Sequence, residues 1–161
     1  MERRLAAILA ADVVGYSRLM GEHEVGTLER LKSLRKELVQ PKITARKGRI
    51  VKLMGDGLLA EFPSVVEAVH CALDIQNEMT QHEPELPDNQ RVRLRIGVNL
   101  GDIIAEGSDI YGDGVNVAAR LEGLADAFDG TAALGERGPG NLDDRIRHHA
   151  PSFRISLFLI S

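Results

Sequence analysis

Two short apolar runs, Arg49–Met54 and Leu58–Phe62, are separated only by Gly55-Asp56-Gly57. No other stretch restricts the fold as tightly. Asp-Gly tolerates the positive φ angles of a tight turn, so the segment predicts an antiparallel hairpin. A hairpin alone is marginal in water, so it must be part of a larger sheet. Leu5–Val14 reads as a buried strand of small and branched apolar residues. Val92, Leu94, Ile96 and Val98 alternate with Arg93, Arg95 and Gly97, the pattern of a half-buried strand. Gly101-Asp102 then predicts a turn, and Ile103–Glu106 a returning strand.

Helical signals lie between these strands. Ser17–Gly21 reads as a junction, and from His23 the residues Val25, Leu28, Leu31, Leu34 and Leu38 fall at helical spacing. Pro41 is expected to end or kink that helix. Ser64 with Glu67 makes a capping box, and Val65, Val69, Ala72, Leu73 and Met79 give the helix behind it an apolar face. Gly112–Ala125 reads as a last helix, with Val117, Leu121, Leu124 and Ala125 on one stripe. The order is β-α-β-β-α-β-β-α. This predicts an α+β fold with a ferredoxin-like βαββαβ core, extended by one strand and one helix.

Composition excludes several functions. A net charge of −4 gives no electrostatic reason to bind nucleic acid. The aromatic share is 4% with no Trp, so an RNA-binding module with stacking platforms is not expected. Cys71 is the one cysteine, which rules out an internal disulfide or a cysteine-built metal centre. His70-Cys71 read as packing on a helix, and His148-His149 as part of a basic run. The N-terminal apolar run is cut short by Asp12, which argues for a strand over a signal peptide, and no stretch approaches a membrane span. A cytoplasmic location is the expectation. There is no G-x-x-x-x-G-K-[ST] loop and no G-x-S-x-G elbow.

Several polar residues stand out. Asp12 ends an apolar strand, where a charge needs a partner or a cation. It could equally cap the next element. Asp56 is what a hairpin wants, yet in a ferredoxin-like sheet the first strand and first hairpin are close in space. Two carboxylates there can hold one or two hard divalent cations. Asn116 and Arg120 are four apart, hence on one face of the predicted helix. They are a solvated pair or a clamp for ribose and phosphate. Lys52 alternates with Val51 and Leu53, and so leaves the face those two share. Asp109 lies in the loop before the last helix, and separately the two mean little.

Four segments together resemble the class III nucleotide cyclases, the adenylate and guanylate cyclase catalytic domain. They are Ala11-Asp12-Val13-Val14-Gly15-Tyr16-Ser17, Ile50-Val51-Lys52-Leu53-Met54-Gly55-Asp56-Gly57, Arg95-Ile96-Gly97-Val98-Asn99-Leu100-Gly101, and the run from Asp109 through Tyr111, Gly114 and Asn116 to Arg120. The resemblance covers residues 3–126 in the right order. It implies that Asp12 and Asp56 bind metal through carboxylates and Val13 through its carbonyl. It implies two Mg²⁺ or Mn²⁺ ions per active site. Lys52 and Asp109 match the pair that reads the adenine edge and so favour ATP over GTP. Asn116 matches the ribose-orienting asparagine and Arg120 the transition-state arginine. Metal and base residues come from opposite subunits in this family, so a homodimer with two sites is implied. The reaction implied is conversion of ATP to 3′,5′-cyclic AMP and pyrophosphate.

The resemblance predicts a division into a catalytic domain, 1–126, and a C-terminal tail, 127–161, that departs from the family pattern. Residues 130–140 contain four glycines and a proline, no lysine follows Lys52, and Phe153–Ile160 is the one strand candidate of the tail. The family has a lysine-bearing final hairpin there. The tail therefore reads as last strands lost or replaced. The alternative function is an impaired cyclase remnant that binds nucleotide or dimerises.

Overall fold

The structure is a computed structural model. It describes residues 1–87, 90–116 and 118–119, with strand backbone at 133–134 and 155–159. The central strand is β1 (Glu2–Val13). Ala7, Leu9, Ala11 and Val13 enter one apolar cluster, and Ala6, Ile8 and Ala10 enter another on the opposite face. A strand buried on both faces carries no polar alternation, which is why this one reads as a continuous apolar run.

The chain then forms α1 (Tyr16–Glu22) and α2 (Glu24–Leu34), a π-helical turn over Arg35–Val39, and α3 (Gln40–Ala45). The expected junction at 17–21 is therefore helical, and Pro41 does not end the run. Proline falls at the start of α3, just after the π turn, and the residues before it keep helical backbone angles. The wider π turn before it makes room for the ring.

The hairpin follows as β2 (Arg49–Met54) and β3 (Gly57–Phe62). Its positive φ falls on Gly55, at 57°, and not on Asp56. The turn thus places glycine first and leaves Asp56 with ordinary backbone and a free choice of side-chain direction. A register shift between Ile50 and Lys52 marks a β-bulge in β2 at Val51. Ser64 Oγ accepts from Glu67 N–H at 3.2 Å and starts α4 (Val65–Met79). The buried face of α4 is Ala68, Cys71, Ala72, Ile75, Gln76 and Met79, with Val65, Val69 and Leu73 half-buried beside it. His70 is exposed, whereas Cys71 is buried, and desolvation pushes its thiol up to about 12. An inert packing thiol is the result.

One expectation is corrected on the next strand. β4 (Leu94–Glu106) runs straight through Gly101-Asp102, and the turn comes at Gly107-Ser108, before β5 (Asp109–Tyr111). Gly101 is there for close approach. A Cβ on it would lie 2.9 Å from the Cα of Gly114, in the helical stretch that follows at 113–116 and 118–119. The β-β count of the sequence reading survives with the turn moved. β6 (Ala133–Leu134) was not foreseen, and β7 (Ile155–Leu159) falls inside the strand expected over Phe153–Ile160.

The sheet order is β2-β3-β1-β4-β7-β6, with β5 on the far end of β4. β1 pairs antiparallel with β4 along its whole length, from Glu2 opposite Ala105 to Val13 opposite Leu94. β3 pairs with β1 only from Ala7 onward. The long β1–β4 ribbon is thus free to curl at its lower end. β5 is carried over the face opposite the helices, where Ile110 and Ala118 pack on Ile8 and Leu59. The α+β class and the β2-β3-β1-β4 core are those of the ferredoxin-like reading.

Glu61 of β3 anchors that lower end. Its side chain is 8% exposed and pairs with Arg4 of β1 and with Arg49 of β2, the latter at 2.8 Å. Burial would raise its pKa, but hydrogen bonds and charge from Arg4, then Arg49, outweigh this and lower it. A carboxylate held below its unfolded value stabilises the fold above that value and loses this as pH falls through the folded one. Glu61→Ala is expected to destabilise by about 2–4 kcal/mol, since it strands two arginines that are still partly solvated. The deficit should shrink in urea titrations as pH falls below about 4.5. An unchanged deficit at pH 3 would disprove the charge argument.

Candidate active site

Asp12 sits near the C-terminal end of β1, on the face opposite the helical layer, directly across from Arg95 of β4. The guanidinium takes both carboxylate oxygens, Nε to Oδ1 at 2.7 Å and Nη2 to Oδ2 at 2.6 Å. Arg95 was missed in the sequence as a site residue. The available signal was an arginine on the polar parity of a strand that must pair with β1. Asp56, at the hairpin tip, points its Oδ2 at the backbone N–H of Val13, 3.2 Å away. The three residues expected to bind metal thus meet at one end of the sheet.

The donor set fits a hard divalent cation. Each bidentate carboxylate oxygen of Asp12 keeps a further lone pair, and Asp56 keeps Oδ1. The pair of carboxylates with the Val13 carbonyl matches a Mg²⁺ site completed by water and phosphate oxygens. Among the described residues no cluster of three His, Cys, Asp or Glu side chains offers an all-protein cage. Arg95 already pairs with Asp12, whose side chain is 21% exposed, so a cation there would share the carboxylate with the guanidinium.

Lys52 and Asp109 meet on the curled face. Lys52 Nζ lies 3.1 Å from Asp109 Oδ2 and 5.3 Å from the centre of the Tyr111 ring. This corrects the expectation that Lys52 points away from Val51. The bulge breaks the alternation, so Val51 packs in the opposite-face cluster and Lys52 still reaches β5 on that face. Hydrogen bonds from Lys52 and then Tyr111 hold the Asp109 carboxyl below its ordinary value. The same Asp109 bond raises the Tyr111 phenol. The result is a fixed donor beside a fixed acceptor, at a solvent-facing position.

Asn116 is exposed on the helical stretch, with its N–H on Gly112 O at 3.2 Å. Within one chain it touches neither the aspartates nor the Lys52–Asp109 pair by any hydrogen bond described. Arg120 lies outside the described residues, as do His148, His149 and most of 127–161. No helix among the described residues is long and apolar enough to cross a membrane.

Comparison with known proteins identifies the family of the chain. A Rhizobium meliloti (strain 1021) protein named "Putative adenylate cyclase 3" is 53% identical over 126 residues, 78% of this chain and 22% of that protein. An adenylate cyclase of Streptomyces coelicolor is 35% identical, over 78% of this chain and 31% of its own length. The chain therefore spans less than a third of either relative. The crystal structure of an adenylate/guanylate cyclase/hydrolase from Silicibacter pomeroyi superposes with a TM-score of 0.71 at 53% identity, covering 77% of this chain and 72% of that one. A bacterial light-regulated adenylyl cyclase gives 0.70 at 25% identity, over 80% and 74%. The adenylate and guanylate cyclase catalytic domain family matches residues 3–129, and this chain belongs to it.

Proposed function

We propose that the chain is an adenylate cyclase domain that converts ATP to 3′,5′-cyclic AMP and pyrophosphate, at sites shared between two copies. The observation that carries the choice of ATP is the Lys52–Asp109 pair. A donor set beside an acceptor suits the ring nitrogen and amino group of adenine. The adenylate cyclases among the relatives support the same choice. Asp12, Asp56 and the Val13 carbonyl would hold two Mg²⁺ or Mn²⁺ ions. Bound there, the ions lower the pKa of the ribose 3′-hydroxyl and neutralise phosphate charge. Lys52 and Asp109 orient the base, Asn116 the ribose, and Arg120 meets the charge that develops as the 3′-oxygen attacks the α-phosphorus and pyrophosphate leaves. No described hydrogen bond joins Asn116 to the aspartates within one chain, and the family resemblance has a second copy complete the site. The catalytic part is taken as residues 1–126.

A second reading, a nucleotide-binding or dimerising remnant, rests on the lack of any lysine after Lys52. One assay separates them. Purified protein with ATP and Mn²⁺ or Mg²⁺ is expected to form cyclic AMP and to sediment as a dimer. Asp12→Ala should lower the rate at least about 10²-fold, because it removes one of the two carboxylates that would hold the metal ions. Equal rates for both proteins would overturn the metal assignment, and no cyclic AMP from either would favour the remnant.

A further inference from the structure

The β4–β5 turn is held down at a second point beside the Lys52–Asp109 pair. Arg49 Nη1 donates to the carbonyl of Ser108 at 3.2 Å, one residue before Asp109. The same guanidinium is clamped on Glu61 Oε2, through Nε at 3.1 Å and Nη2 at 2.8 Å. Glu61 is in turn fixed by Arg4 of β1. The carboxylate therefore sets the plane of the guanidinium, and the remaining N–H is aimed at the turn.

The bulge in β2 makes this possible. Arg49 and Lys52 are three apart, so in a regular strand they would point to opposite faces. The extra residue at Val51 restores them to the same side. β2 thus grips the β4–β5 turn by Arg49 on Ser108 and the start of β5 by Lys52 on Asp109.

We propose that Arg49 is a positioning residue for purine selectivity: it fixes the Ser108 carbonyl and thereby the placement of the Asp109 carboxylate beside Lys52. This rests on the reading of Lys52 and Asp109 as the pair that meets the base. A lysine at 49 keeps the charge but lacks the planar fork that spans Glu61 and Ser108, so charge alone is expected to be insufficient.

The test uses the full chain with Arg49→Ala, Arg49→Lys and Lys52→Ala. Equilibrium binding of ATP and GTP gives an affinity ratio, and amide hydrogen exchange reports residues 106–109. The Ser108 contact is at the surface, so Arg49→Ala is expected to lower the ATP-to-GTP ratio by about three- to tenfold. Exchange over the turn should quicken by a similar factor, and Arg49→Lys should restore neither. Unchanged exchange in Arg49→Ala overturns the latch. Faster exchange with an unchanged ratio overturns its role in selectivity, provided Lys52→Ala does change the ratio. If Lys52→Ala leaves the ratio unchanged as well, the base-reading assignment itself fails.

Discussion

Replacing Arg120 with alanine is expected to cut cyclic AMP formation by a factor on the order of 10³–10⁵, with ATP affinity changed less than about tenfold. Charge on the phosphoryl oxygens and the leaving pyrophosphate grows only as the bond breaks. A guanidinium that meets this charge stabilises the transition state and leaves ground-state binding nearly alone. Lysine should rescue only part of the rate, because its ammonium lacks the planar fork that matches two oxygens. The role comes from resemblance, four residues beyond Asn116 in sequence. Steady-state kcat beside a direct ATP binding constant decides it. Wild-type turnover in Arg120→Ala would remove this residue from the chemistry.

Gly114→Ala is expected to destabilise the protein by about 1–3 kcal/mol and to slow turnover by about 10²-fold. A Cβ there would meet the carbonyl oxygen of Asp102 at 2.8 Å and the carbonyl carbon of Gly101 at 3.0 Å. Both are backbone atoms of β4 and cannot rotate aside. Asn99, fully buried, ties the same spot by donating Nδ2 to Gly114 O at 3.0 Å. The helical stretch that bears Asn116 must therefore lift off the strand, which would move the ribose contact proposed for Asn116. Gly21→Ala is the control. It lies in α1 with nothing within 4 Å of the added atom, and should stabilise by up to about 1 kcal/mol. Urea midpoints and initial rates measure both. A Gly114→Ala protein with unchanged midpoint and rate would show that the contact has slack.

Local signals in the sequence reported local structure well. The 49–62 hairpin, the Ser64 cap and the β1 run are each written in a few adjacent residues, and each was found where expected. The Lys52–Asp109 contact was reachable only through the family resemblance, since 57 positions separate the two and neither is unusual alone. What was misread depends on tertiary context. Gly101-Asp102 looks like a turn because glycine is a turn residue, yet here the glycine makes room for Gly114. Pro41 reads as a helix stop or kink, and the run does not stop there but passes through a π turn just ahead of it. The Val51 bulge and the Arg95–Asp12 pair depend on strand register, which no single segment encodes.

The pairing of β1 with β4 also governs how the chain is made. Its first twelve paired positions join residues that are about eighty to one hundred apart. During synthesis the N-terminal strand leaves the ribosome long before its main partner exists. Until residue 94 and beyond have emerged, that apolar ribbon can rest only on the β3 hairpin and the early helices. High contact order of this kind slows folding toward milliseconds or longer and lengthens the time an unprotected strand is open to chaperones or to neighbouring chains. The nascent protein is therefore most vulnerable at the very strand that, once paired, carries Asp12.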